Sequence, residues 1–139
     1  MTASQIHAFF KSYADAFSRS AIDDICSLWA YPAYMVARGK RASLNEAEFR
    51  KNAEALCKFY QAQRVSRADK EVLELTRLTP TIASVRTADT VFDETGGMIA
   101  SWEHVYLLSQ TDNGLRVVAA MPDAELEAWQ ARGTPLGSW

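Results

Sequence analysis

Cysteine and histidine are scarce in this chain of 139 residues, which contains two of each. Cys26 and Cys57 lie in separate helix-like segments without the spacing of metal ligands, so we expect two small buried hydrophobic residues; a reactive thiol or a disulfide is the alternative. Two histidines without a nearby cysteine or glutamate cluster predict no metal site. The sequence also lacks a glycine-rich phosphate loop, a nucleophile elbow and a Ser-His-Asp signature, and we expect no cofactor.

An excess of charge of one sign is missing as well, because 15 Lys and Arg residues are balanced by 17 Asp and Glu residues. This balance predicts no nucleic-acid surface, and RGKR at 38–41 is expected to form a solvated turn. No apolar run is long enough to span a bilayer, and the N-terminal segment lacks the basic start and apolar core of a signal peptide. We therefore expect a cytoplasmic protein without a nucleic-acid or membrane partner.

Apolar residues are plentiful, at 48% of the chain, and can build the core of one domain over residues 1–139. In the first half they recur at three- and four-residue steps, which predicts helices, the third running to about Gln63. Tyr31-Pro32 is expected to end the second helix before a strand at 33–37. Three capping boxes are predicted to start these helices: Thr2–Gln5, Ser20–Asp23 and Ser43–Glu46.

The second half changes to a strand pattern, rich in β-branched and aromatic residues. Turn signals at Thr79-Pro80, Gly96-Gly97 and Asp112-Asn113-Gly114 separate four such segments, and a short helix capped by Asp123 follows. The order helix, helix, strand, helix and then antiparallel strands predicts an α+β fold.

The predicted hairpins indicate which residues of these strands point inward. If Asn113-Gly114 is a two-residue turn, Trp102, His104 and Tyr106 share the apolar, inward face. With a two-residue turn at Gly96-Gly97, Asp89 lies directly opposite His104; a four-residue loop moves Asp89 opposite Trp102, still on the same face.

A buried aspartate needs a partner, and the His104 ring is the partner that this pattern offers. We predict that Asp89 hydrogen-bonds to His104, which would fix the ring tautomer and raise its basicity, as a general base requires. The alternative is a pair that only satisfies itself structurally or lies at a wet end of the sheet. The aromatic residues around the pair are expected to form the core and a cavity wall.

Two segments resemble the nuclear transport factor 2-like superfamily, particularly its SnoaL-like branch: SYADAFSRSAIDDICSLWA at 12–30 and the closing hairpin EHVYLLSQTDNGLRVVAAMPD at 103–123. The likeness spans about residues 3–130. Leu115 stands where that hairpin usually carries tryptophan, and Arg116 follows as expected. The resemblance implies a strongly curved antiparallel sheet wrapped around the N-terminal helices, forming a cone with one deep apolar pocket.

The resemblance also implies a range of functions. Members include ketosteroid isomerases, scytalone dehydratases, limonene epoxide hydrolases and polyketide cyclases, besides domains that only bind or dimerise. The enzymes generally use an Asp or His in the pocket for acid–base chemistry on small apolar molecules. Phe17-Ser18 stands in place of the Tyr-Asp pair of scytalone dehydratases, and Thr87 in place of the arginine of the epoxide hydrolases, so neither of those activities transfers.

We therefore predict a pocket protein for a small apolar or carbonyl-containing molecule, with acid–base chemistry of the isomerase, cyclase or dehydratase type. His104 would be the base, Asp89 its orienting partner, and Tyr106 or Tyr34 the donor to a developing oxyanion. The residues predicted to contact the ligand are Tyr13, Trp29, Tyr34, Tyr60, Trp102, Tyr106 and Met121.

Two other functions stay open at this point. One is a cone that binds an apolar ligand without chemistry, and the other is a dimerisation module whose interior is filled by Trp102, Tyr106 and Met121. Dimers of the superfamily usually pack through the outer sheet face, which would carry Glu103, Val105, Arg116 and Val118, so a homodimer is expected. The C-terminal helix and the tail TPLGSW are expected to cover the pocket mouth.

Overall fold

Helices occupy most of the first half of the chain and strands most of the second half. The computed structural model describes residues 1–136. Its elements are α1 (Ala3–Ser18), α2 (Ile22–Ser27), β1 (Trp29–Ala37), β2 (Lys40–Leu44), α3 (Glu46–Ala62), β3 (Arg67–Arg77), β4 (Ile82–Phe92), β5 (Met98–Thr111), β6 (Gly114–Met121) and α4 (Asp123–Ala131). The predicted α+β class, with a curved sheet against N-terminal helices, is confirmed.

The described strands form a six-stranded sheet in the order β2-β1-β6-β5-β4-β3. The three predicted hairpins, β3–β4, β4–β5 and β5–β6, are all antiparallel, as is β1–β2. β1 and β6 pair in parallel, so the sheet is mixed rather than antiparallel throughout. This parallel pair places β1, the first strand along the chain, next to β6, the last strand.

The first predicted helix start is confirmed, because the Thr2 side chain accepts from Gln5 N and Gln5 reciprocates. The second predicted box is wrong: Ser20 has a φ of 51°, and α2 begins after Ala21 without a side-chain cap. The helix also ends at Ser27, ahead of Tyr31-Pro32, which lies within β1.

The third predicted box is wrong by two residues. Asn45 caps α3 and pairs with Glu48, whereas Ser43 belongs to β2, an edge strand that the pattern did not predict. Asp123 does not cap α4 either; its Oδ1 accepts from the backbone N of Arg38 at 2.7 Å and joins α4 to the β1–β2 turn.

Helices α1 and α3 pack on the inner face of the sheet. Phe10 of α1 contacts Tyr106 of β5 at a ring-centroid distance of 5.1 Å, and Phe49 of α3 contacts Trp29 of β1 at 4.8 Å. The Ser18 hydroxyl fixes the end of α1 against β3, because it accepts from Ala68 N at 2.9 Å. These contacts leave a space between the helices and the middle of the sheet.

Both cysteines are buried, as the sequence predicted, and neither forms a disulfide within residues 1–136. The helices of this described part are also too short or too polar to cross a membrane.

Candidate functional site

A cavity of about 390 Å³ lies between the inner face of the sheet and helices α1, α3 and α4. Its volume falls in the range of small-molecule sites, and most of its wall is aromatic or aliphatic. The residues predicted to contact a ligand that do line this cavity are Tyr13, Trp29, Tyr60, Trp102 and Tyr106. Asp89 and His104 line it too, so the structure brings these seven residues together.

Two residues predicted to contact the ligand are not part of the cavity wall. Tyr34 is 48% exposed, because its neighbours Ala33 and Met35 point inward and successive strand residues alternate. Met121 is displaced by a register shift between Leu107 and Leu108, which puts Ala120 opposite Tyr106. The cavity is therefore lined by Met35 and Ala120 instead.

The β4–β5 pairing is the one expected from a four-residue loop, but it arises from the five-residue loop 93–97 together with a bulge between Val91 and Phe92. Asp89 is paired with Trp102, and Thr87 with His104, after a bulge next to the turn. Asp89 is 4% exposed and His104 6% exposed, and both point into the protein. His104 is thus diagonal to Asp89 on the inner face.

The predicted Asp89–His104 hydrogen bond is not formed. The Nδ1 atom of His104 is 3.7 Å from Oδ2 of Asp89, beyond hydrogen-bond distance. Asp89 has other partners: Lys70 Nζ donates to Oδ2 at 2.5 Å, and the Thr87 hydroxyl donates to Oδ1 at 2.7 Å. The carboxylate of Asp89 is therefore held by a cation and a hydroxyl.

Lys70 is the main residue of the site that the sequence pattern did not indicate. Its side chain is 7% exposed, and its Nζ also donates to the Tyr106 hydroxyl at 2.5 Å. The ammonium lies 4.9 Å from the ring centroids of both Tyr13 and Tyr106. The sequence did contain a signal for Lys70. It lies two residues before the apolar Val72, so in a strand that includes both residues their side chains point to the same, inner face.

His104 is neutral in this environment. Burial, followed by the charge of Lys70, lowers its pKa to about 3, although Asp89 acts in the opposite direction. Its ring stacks on that of Tyr106 at a centroid distance of 4.4 Å. Within residues 1–136, Nδ1 of His104 is buried without a hydrogen-bond partner. The ring is therefore a neutral imidazole, and its low pKa makes it a weak base.

Tyr106 has the geometry of a hydrogen-bond donor to a ligand. Burial raises the pKa of its phenol well above the usual value, so the hydroxyl keeps its proton. Because Lys70 donates to the phenol oxygen, the Tyr106 proton is directed elsewhere. Tyr106 lines the cavity, and a carbonyl oxygen there could accept this proton in a hydrogen bond.

A second polar group lies on the α4 side of the cavity and was also missed. Glu125 is 6% exposed, and its Oε2 accepts from the Tyr60 hydroxyl and, at 3.2 Å, from Trp129 Nε1. Burial raises the pKa of this carboxyl. Its spacing of four residues from Trp129 puts both on one helix face, which is the signal that could have indicated an inward glutamate.

Metal ligation finds no support among the described residues, in which no group of three or more His, Cys, Asp or Glu side chains is arranged to hold an ion. Among the polar side chains of the cavity, Lys70 hydrogen-bonds to Asp89 and Tyr106, and Glu125 hydrogen-bonds to Tyr60 and Trp129.

The mixed six-stranded sheet around a cavity, closed by N-terminal helices, defines the class of nuclear transport factor 2-like (NTF2-like) folds. The chain belongs to a family described as NTF2-like protein (DUF6841), whose model matches residues 4–125. No curated protein matches the chain. The assignment to the SnoaL-like branch stays a prediction.

Solved structures with this fold are numerous, and their sequences are distant. An NTF2-like protein of unknown function from Shewanella oneidensis has 14% identity and a TM-score of 0.68, over 87% of this chain and 98% of that chain. An NTF2-like protein from Novosphingobium aromaticivorans has 15% identity and a TM-score of 0.67, over 96% and 88%. A ketosteroid isomerase-like protein from Erwinia carotovora atroseptica has 19% identity and a TM-score of 0.63, over 85% and 92%. At these identities the likeness shows the fold alone.

Proposed function

We propose that this protein binds a small, largely apolar molecule through a carbonyl oxygen and transfers a proton on it without a cofactor, as in isomerisation, cyclisation or dehydration. One observation carries the proposal: a buried cluster of Lys70, Asp89 and Tyr106 lies in the wall of an otherwise apolar cavity. A hydroxyl donor polarised by a cation, next to a carboxylate, is suited to forming and stabilising an enolate.

Each member of the cluster has a separate role in this proposal. The Tyr106 hydroxyl donates to the carbonyl oxygen, and the Lys70 ammonium stabilises the negative charge that develops there. Asp89 accepts the proton from the carbon next to the carbonyl. His104, which the sequence suggested as the base, is a weak proton acceptor with its pKa of about 3. We therefore assign His104 to binding and Asp89 to proton transfer.

The test is hydrogen–deuterium exchange at the α-carbons of 2-tetralone, a compact apolar ketone, followed by proton NMR in D₂O. The wild-type protein is expected to accelerate exchange over buffer. Asp89→Asn should lower the rate by about 10²–10⁴-fold, and Tyr106→Phe by about 10²–10³-fold. His104→Gln should have a smaller effect than either.

The control variant is Glu71→Gln, which removes one carboxylate from the exposed residue next to Lys70. It should exchange 2-tetralone at the wild-type rate. Thermal unfolding of each variant shows whether it is folded at the assay temperature. A wild-type protein that neither binds 2-tetralone nor exchanges its protons would contradict the proposal.

A non-catalytic binding domain is the second candidate. It is favoured by the hydrogen bonds of Asp89, because Lys70 and Thr87 already donate to its two carboxylate oxygens. In that case 2-tetralone binds to the wild-type protein while its α-protons exchange no faster than in buffer. The exchange experiment therefore separates the two functions.

A further inference from the structure

The second polar group of the cavity has no part in the proton transfer proposed above. The Glu125 carboxyl of this group belongs to a residue that lines the cavity, and so does the indole N–H of Trp102. The two residues are connected through Trp129, whose ring centroid is 5.8 Å from that of Trp102 and whose Nε1 donates to Glu125.

The indole N–H of Trp102 is a buried donor that lacks a partner. The residue is 8% exposed, and within residues 1–136 its Nε1 makes no hydrogen bond. Leaving such a donor unpaired in the interior is costly, so native proteins rarely do so without a ligand or water to accept from it. Trp29, the other tryptophan of the cavity wall, differs, because its Nε1 donates to the Tyr13 hydroxyl at 3.0 Å.

Glu125 complements this donor. Both hydrogen bonds that it accepts from described residues end on Oε2, so Oε1 is left for another partner. A ligand group that accepts from Trp102 and bonds with the Glu125 carboxyl in either of its protonation states must be able both to accept and to donate. A hydroxyl group has both capacities, whereas an ether, a ketone or an alkyl group does not.

The charges of the cavity indicate a neutral ligand. Lys70 and Asp89 compensate each other at 2.5 Å, and burial of Glu125 favours its neutral form. An additional charge on the ligand would be buried without a partner, which is costly.

We propose that the cavity selects a neutral, mostly apolar hydroxy-ketone, whose carbonyl oxygen binds Tyr106 and whose hydroxyl group binds between Trp102 Nε1 and the Glu125 carboxyl. The proposal rests on the proposed function, since it names the substrate class of the same site. It adds a specificity requirement that the proton-transfer chemistry does not need.

The test compares dissociation constants, measured by calorimetry, for 2-tetralone and for its 6-hydroxy and 7-hydroxy derivatives. The wild-type protein should bind at least one hydroxy derivative about tenfold or more tightly than 2-tetralone, because the hydroxyl satisfies a buried donor. In Trp102→Phe, which keeps an aromatic ring, this ratio should fall to about one to three. Tyr34→Phe is the control, because it removes one donor from an aromatic side chain that is 48% exposed and outside the cavity wall, so it should keep the wild-type ratio.

Two further measurements keep the result independent of any one variant. The indole ¹H signal of Trp102 should lie further downfield in the complex with the hydroxy derivative than in the complex with 2-tetralone, because only the hydroxy derivative accepts a hydrogen bond from it. The double variant Tyr60→Phe/Glu125→Leu, which removes the carboxyl and one of its donors together, should also lose the tenfold ratio.

The outcomes separate the two proposals. If 2-tetralone binds and exchanges while neither hydroxyl improves binding, or if Trp102→Phe keeps the ratio, the hydroxy-ketone inference is wrong and the proposed function stands. If 2-tetralone neither binds nor exchanges and its hydroxy derivatives do not bind, both are wrong.

Discussion

The Lys70 ammonium is held inside the protein by Asp89 and Tyr106, at 2.5 Å from each. Replacing it in Lys70→Met leaves the Asp89 carboxylate buried without a cation. Because removing one partner of a buried ion pair exposes the full cost of burying the other, we expect the free energy of unfolding to fall by about 3–5 kcal/mol. Urea unfolding measures this loss.

Arg67→Met is the control for that prediction. Arg67 lies three residues earlier on the same strand and pairs with Asp69, but both side chains are about half exposed. An exposed pair contributes about 0–1 kcal/mol, so the loss should be small. In addition, Lys70→Met/Asp89→Asn should recover part of the stability lost in Lys70→Met. Equal losses in Lys70→Met and Arg67→Met would contradict the buried-pair account.

His104 should make stability depend on pH. Its pKa is about 3 in the folded protein, against the ordinary histidine value of 6.5, so between these values the unfolded chain binds a proton that the folded protein does not. The free energy of unfolding therefore decreases as pH falls from 6.5 towards 3, by up to about 1.4 kcal/mol per pH unit. Glu125, with its raised pKa, acts in the opposite direction.

Comparing wild type with His104→Gln isolates the histidine contribution. Urea unfolding between about pH 7 and pH 5 should give a steeper loss of stability for the wild type than for the variant. Parallel pH profiles would mean that His104 is protonated in the folded protein at the same pH as in the unfolded chain.

Strand alternation was sufficient to predict that Asp89 and His104 point inward, because a period of two leaves few choices once the apolar face is known. It did not identify their partners. Lys70 was missed because the predicted strand segment, EVLELTRL at 71–78, excludes it, whereas β3 begins at Arg67; a lysine next to acidic residues also resembles a solvated surface. Glu125 was missed because an acidic residue in the first turn of a helix is usually exposed.

At the scale of elements, the start of α3 allows a test of which residue caps the helix: Ser43, as the sequence predicted, or Asn45, as the structure shows. Asn45→Ala should lower the free energy of unfolding by about 1 kcal/mol, because the Asn45 side chain accepts from Glu48 N. Ser43→Ala, which the sequence pattern would make equally costly, should change it by less than about 0.5 kcal/mol. Urea unfolding of both variants measures the two changes. A larger loss of unfolding free energy for Ser43→Ala than for Asn45→Ala would contradict the observed cap.

The hairpins could be predicted from turn residues and period, whereas their registers could not. Bulges interrupt the pairing between Val91 and Phe92 and between Leu107 and Leu108. Each adds one residue to one strand and turns the following side chains to the opposite face, and no residue type marks its position. The same effect exchanged Met121 for Ala120 in the cavity wall. β2 was missed because an edge strand with Lys40 and Arg41 has the composition of a turn.

At the scale of the whole molecule, we predict a homodimer through the outer face of the sheet. Val105 is half-buried there and is paired with the exposed residue Arg86 of β4. Nη1 of Arg86 lies 3.7 Å from Oε1 of Glu103, which is also exposed. In a symmetric interface a substitution acts twice, so Val105→Glu should dissociate the dimer. Size-exclusion chromatography with light scattering should give about twice the chain mass of 15.5 kDa for the wild type and the chain mass for the variant.

Met98→Glu is the control for the interface. Met98 is 64% exposed at the tip of the β4–β5 hairpin, away from the middle of the outer face, so the variant should stay dimeric. A wild-type protein that elutes as a monomer at every concentration would overturn the dimer prediction.

The parallel pairing of β1 with β6 has a consequence for how the chain is made. On the ribosome, β1 and β2 emerge long before β6 has been translated, so β1 has an unpaired edge for most of synthesis. Closing so long a loop costs entropy before any contact forms, so this pairing is a late step of folding. Met35 on β1, Ala120 on β6 and Glu125 on α4 all line the cavity, so its wall is completed only when β6 and then α4 are in place.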